Sequence, residues 1–138
     1  MKKIFVVSSA VVVSAVLAAG GVAMAQKKHA PKPVWGAMVA GLSDIQNMTA
    51  ALMVFDMKRV EKIADELQKR ETFISNIERL PEPVRKGHAV VAEAAAKLVA
   101  AAKTGEENDV ANAINGVVLT CNACHFDLRD AERRKKAN

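Results

Sequence analysis

From Val34 onward the apolar residues return every three or four positions, and nowhere do they alternate in twos. A repeat of that kind keeps one side of a helix apolar, so the chain predicts four helices and no strand. The first runs from about Val34 to about Phe55, with Met38, Leu42, Ile45, Met48 and Leu52 as its apolar stripe. Asp56 suits the N-cap of the second, because a short carboxylate can accept the free N–H groups of a first turn. The second helix carries Val60, Ile63, Leu67, Ile74, Ile77 and Leu80, with Arg70 among them, and Pro81 and Pro83 are expected to end it. The third runs from about Val84 to about Lys103, with Val91, Ala95, Leu98 and Ala102 inward, and Gly105 supplies a left-handed stop. The fourth begins between Glu106 and Asp109 and ends around Arg134, its stripe being Val110, Ile114, Val117, Cys121, Cys124, His125 and Leu128.

Short connections make consecutive helices antiparallel neighbours, so the expected fold is an all-α, antiparallel up-down-up-down four-helix bundle. No linker, repeat or second domain interrupts it. The alanine-rich stretch from Ala92 to Ala102 favours helix and lets a neighbour approach closely. With no tyrosine, one tryptophan and four phenylalanines, the core is short of large side chains, and a bulky apolar cofactor would supply the missing volume.

The residues before this bundle read differently. Lys2 and Lys3, the apolar run from Ile4 to Ala19 and the triplet Ala23-Met24-Ala25 form a secretory signal, residues 1–25, with cleavage expected before Gln26. The domain then spans residues 26–138, beginning with a tail that contains Pro31 and Pro33. The expected location is the periplasm, with no membrane span in the mature form. Loss of Lys2 and Lys3 takes the formal charge from +5 to +3. There is no basic stripe with interleaved aromatics, so nucleic acid is not an expected partner. Arg133, Arg134, Lys135 and Lys136 close the fourth helix, where positive charge is favourable, and they offer an acidic partner a docking point.

The chemistry lies in Cys121-Asn122-Ala123-Cys124-His125, a C-x-x-C-H sequence holding the only two cysteines of the chain. This is the attachment pattern of c-type haem: two thiols for the vinyl groups and an adjacent imidazole for the iron. Other uses of C-x-x-C fit less well. A redox dithiol of the thioredoxin kind follows a strand, and zinc requires four ligands. Cys121, Cys124 and His125 share one side of a helix, the side of the apolar stripe, so the motif is expected to face into the bundle.

The iron needs a second partner. His125 sits about nine residues, roughly 13 Å, before the expected end of its helix. Met38 lies a little over one turn into the antiparallel first helix, at a similar height, and is the candidate sixth ligand. Met48, Met53 and Met57 are expected to fill core space. His88 is a rival donor, the plainer expectation being an exposed or capped histidine, and Trp35 could cover a cofactor edge or close the end of the bundle.

The run Cys121-Asn122-Ala123-Cys124-His125-Phe126-Asp127-Leu128-Arg129, at the C-terminal end of a helical bundle, resembles class II cytochrome c, the cytochrome c-prime family. Met48 to Asp56 resembles the end of that family's first helix and the cap of its second, and counting back places Met38 at the family's distal position. The resemblance implies one covalently attached haem c, with Arg129 near it and able to meet a propionate. It also implies one of two activities. Members with methionine at the distal position are low-spin electron carriers that serve redox partner proteins. Members with a non-coordinating side chain there are high-spin, and several bind nitric oxide or carbon monoxide. The connection between the second and third helices is shorter than in many members, and pairing into a homodimer stays open. No nucleophile–base constellation appears, so catalytic turnover is not expected.

Overall fold

The computed structural model describes residues 32–137, which form α1 (Lys32–Met53), α2 (Met57–Ser75), α3 (Glu82–Thr104) and α4 (Glu107–Ala137). No strand occurs among the described residues. The expected export signal lies outside them. Each helix packs on the next, and α4 returns to α1, while the backbones of the diagonal pairs α1–α3 and α2–α4 stay apart. With connections confined to residues 54–56, 76–81 and 105–106, this is a four-helix bundle compatible with up-down-up-down order.

Local chemistry sets the ends. Phe55 closes α1 in the left-handed region at φ 58°, its N–H bonding to the Leu52 carbonyl at 3.0 Å. The Asp56 N–H reaches back to the Ala51 carbonyl at 2.9 Å, which completes a Schellman closure with phenylalanine where glycine is usual. The Asp56 carboxylate then accepts the Arg59 N–H at 3.0 Å and caps α2, as its position in the sequence implies. Gly105 ends α3 at φ 79°, also as expected.

Pro81 and Pro83 act differently from the expectation. Helix α2 stops earlier, at Ser75, where Asn76 caps it and its side-chain amide donates to the Thr72 carbonyl. Pro81 and Pro83 instead open α3, as N-cap and in its first turn, where a missing N–H removes no helical bond. Ile77 and Leu80 therefore sit in the connection, with Leu80 buried beneath the end of the bundle.

The inward faces largely follow the periodicity. Val91, Ala95, Leu98 and Ala102 of α3 are all buried, as are Val110, Ile114 and Val117 of α4. The α1 stripe is the exception: Met48 and Leu52 are buried, Ile45 and Met38 are half-buried, and Leu42 is 60% exposed. Val34, Ala37 and Ala51 are the buried α1 positions that the stripe omitted. Met53, expected inside, is exposed at the turn. Trp35, Phe55, Phe73 and Phe126 are all exposed, so no aromatic ring fills the described core.

That core is in two pieces. A larger one runs from Met48 and Val60 through Leu98 to Val110 and Val117. A smaller one, of Val34, Ala37, Ile74 and Leu80, closes the other end. Truncating a residue of the larger piece removes contacts that cannot re-form, so Leu98→Ala should lose about 2–5 kcal/mol of stability. Phe73→Ala should stay within about 0.5 kcal/mol, as exposed substitutions do. Urea denaturation followed by circular dichroism compares the two.

Candidate functional site

Between the two pieces of core lies a cavity of about 320 Å³. It falls within the size range of small-molecule and cofactor sites. α1 contributes Met38, Gly41, Leu42 and Ile45; α2 contributes Leu67 and Glu71; α3 contributes Gly87, His88 and Val91. α4 contributes Val117, Cys121, Asn122, Cys124 and His125. Of the adjacent helix pairs, α1 and α4 make the sparsest contact.

The three motif residues and Met38 thus line one cavity. Cys121 and Cys124 are half-buried free thiols, three residues apart on α4 and so on one side of it. Burial pushes the Cys121 thiol above the usual thiol range, and the negative charge of Glu71 and neighbouring Cys124 push it further. Burial does the same to Cys124, with Asp127 adding to it. His125 reaches the cavity from the rim, its side chain largely open to solvent. Met38 is half-buried and also packs on the Val34, Ala37, Ile74 and Leu80 cluster. Met48 is fully buried in the larger core and takes no part in the lining. Arg129 is not among the lining residues; its guanidinium lies 4.7 Å from the centre of the exposed Phe126 ring.

Two features escape a reading by helix periodicity. The first is Gly87. A Cβ built there would stand 2.6 Å from Cys124 Sγ, far inside contact distance. With no side chain at position 87, α3 closes against the second cysteine of the motif, and a methyl there would require the Cys124 sulfur to move. The sequence signal, a glycine inside an otherwise good helix, is present but does not say which neighbour needs the room.

The second is a buried ionic chain. Glu71 and His88 are the two buried polar residues of the described chain, and His88 Nδ1 pairs with Glu71 Oε2. The exposed or capped histidine expected at position 88 is therefore corrected: the ring is inside because a carboxylate on α2 satisfies it. Arg70 Nε lies 3.4 Å from Glu71 Oε1, at ion-pair distance without hydrogen-bond alignment. The Arg70 guanidinium also donates to Asp44 of α1. The chain Asp44–Arg70–Glu71–His88 links α1, α2 and α3, and its Glu71–His88 end lines the cavity. Removing one partner from such a pair would strand a buried charge, at a cost of about 3–5 kcal/mol.

The residues present fit a c-type haem. The thiols are paired at the attachment spacing, an imidazole follows directly, and the cavity between split core pieces is lined mostly by apolar side chains. No cluster of three or more acidic, histidine or cysteine side chains suited to a bare metal ion occurs among the described residues. No family model, curated protein or solved structure matches the chain.

Glycine-to-alanine exchange tests the close approach at Gly87. In α4, Gly116 has nothing within 4 Å of a built Cβ, so Gly116→Ala should gain about 0.5–1 kcal/mol from helix propensity. Gly87→Ala gains the same propensity and should nevertheless show no stabilisation, or a net loss, because Cys124 must move. Paired chemical denaturation curves give the comparison. Thiol titration gives a second check. Because both thiols are pushed up, alkylation of the haem-free chain by iodoacetamide should be slow near neutral pH and accelerate only above the usual thiol range. Glu71→Gln should lower the onset for Cys121, while burial still holds it above the usual thiol range.

Proposed function

We propose that this chain is an exported, monohaem c-type cytochrome that carries single electrons between redox partner proteins. One observation supports this above the rest: the fold gathers Cys121, Cys124, His125 and Met38 around a single cavity, although Met38 and the motif stand more than eighty residues apart. Export rests on the basic start, the apolar run and the Ala23-Met24-Ala25 triplet. It is consistent with two cysteines used for attachment in a compartment where free thiols are short-lived.

In this reading the Cys121 and Cys124 thiols would each add across one vinyl group: the S–H bond and the vinyl π bond break, an S–C and a C–H bond form, and no net oxidation or reduction occurs. His125 through its imidazole and Met38 through its thioether sulfur would hold the iron. Haem supplies the reversible one-electron couple. The chain supplies orientation, a low-dielectric surrounding and exclusion of water. A histidine–methionine pair raises the potential relative to harder ligands, which suits a carrier. Gly87 keeps α3 against Cys124, and Leu67, Val91 and Val117 wall the cavity with apolar surface. Arg129, on the same helix as the motif, is assigned to a propionate by resemblance alone.

A second reading rests on a specific contact. Met38 already packs on the smaller core cluster, and the exposed Leu42 lines the cavity one turn further along α1. If Met38 remains a core residue, the iron is five-coordinate and the site takes nitric oxide or carbon monoxide.

Spectroscopy separates the two. The holo-protein should keep its colour through acid-acetone extraction and exceed the mass of the chain by one haem. Complete release of the colour would remove the covalent assignment. With Met38 as ligand, the ferric form is low-spin with a weak near-infrared sulfur-to-iron band. Met38→Ala should turn it high-spin and open a carbon monoxide site. Met48→Ala should cost about 2–5 kcal/mol of packing and leave the spin state alone. A wild-type ferric form that is already high-spin favours the gas-binding reading.

A further inference from the structure

We propose that Glu71 is the residue that sets the oxidation balance of a haem held in this cavity, with Arg70 and His88 as its positioning partners. The inference rests on the haem reading above and adds to it an electrostatic role for a residue that neither motif nor resemblance touches. Glu71 and His88 are the buried polar residues of the described chain, and both line the cavity. An ion pair inside a small bundle is a poor stabilising device, since apolar residues of similar volume often serve as well or better. Its placement at the cavity wall, and not elsewhere in the core, points to what lies in the cavity.

The charges have a definite sign. The network takes Asp44 from α1, Arg70 and Glu71 from α2 and His88 from α3, and of these Glu71 and His88 line the cavity. α4 brings Cys121, Cys124 and His125, and the two cysteines become uncharged thioethers once haem is attached. Glu71 is the one acidic side chain among the residues that line the cavity, whereas Asp44 and Arg70, which do not line it, pair with each other. The Glu71 field reaches the attachment site, where it adds to the burial that pushes the Cys121 thiol up. Oxidation gives the iron one more positive charge. A fixed anion in the same low-dielectric enclosure favours that state, and salt screens it little. Glu71 therefore draws the potential down, against the upward pull of the methionine ligand.

The test is a spectroelectrochemical titration of purified holo-protein at one pH. Glu71→Gln keeps shape and a hydrogen-bonding group but removes the charge. It should shift the ratio of oxidised to reduced protein at a fixed applied potential about tenfold towards reduced, an upward move of about 59 mV for one electron. Arg70→Gln removes a positive charge and should move the ratio the other way. Glu82→Gln, on an exposed pair with Lys86, should leave it unchanged. Visible and near-infrared spectra that match wild type in each variant establish that the axial ligands are the same. If Glu71→Gln holds haem with an unchanged spectrum and an unchanged potential, Glu71 is a structural residue and the proposal falls. If Glu71→Gln does not fold, Arg70→Gln decides: a downward shift supports the proposal and no shift overturns it. A wild-type chain that takes up no haem overturns instead the reading on which this one stands.

Discussion

Small side chains let α2, α3 and α4 pack closely, and the same packing gives out where α1 should meet α4. Alanine and valine dominate the inward faces of α3 and α4, and Gly87 brings α3 directly against Cys124. α1 and α4 meet most sparsely of the adjacent helices, and the phenylalanines and the tryptophan of the described residues all lie on the surface. Close packing on one side and unfilled space on the other have a single origin in residue volume. The split core, the cavity and the exposure of the motif to that cavity all depend on it.

The ionic chain through Asp44, Arg70, Glu71 and His88 belongs to the same constraint. A carboxylate and an imidazole would be costly in a continuous apolar core. Here they occupy the break between the two clusters, where each has a partner and one side faces open volume. Three helices are tied together at the level where apolar contact is weakest.

Placement of the motif on α4 has a mechanical consequence. Cys121 and Cys124 sit one and two turns beyond Val117, the last buried residue of that helix. The helix is therefore anchored below the motif and free to present it above. An attachment site built on a long regular helix is held more narrowly than one on a loop, because backbone hydrogen bonds fix the relative directions of the side chains. Residues 126–137 continue past the bundle core as a largely exposed, strongly charged extension.

Much of this was legible along the chain. Helix number, the caps at Asp56 and Gly105, and the inward faces of α3 and α4 follow from periodicity and local backbone chemistry, which act over a few residues. The C-x-x-C-H spacing is likewise local, and so was readable as a candidate site. Other features required the fold. The α1 stripe was misread at Leu42 because a residue facing a cavity has the same periodicity as one facing a neighbour. Pro81 and Pro83 open α3, a reversal that depends on where Leu80 can be buried. Burial of His88 depends on a carboxylate seventeen positions away on α2. The room needed at Gly87 depends on a sulfur thirty-seven positions on. Spacing along one helix determines which side chains share its face; only the packing of several helices decides what that face meets.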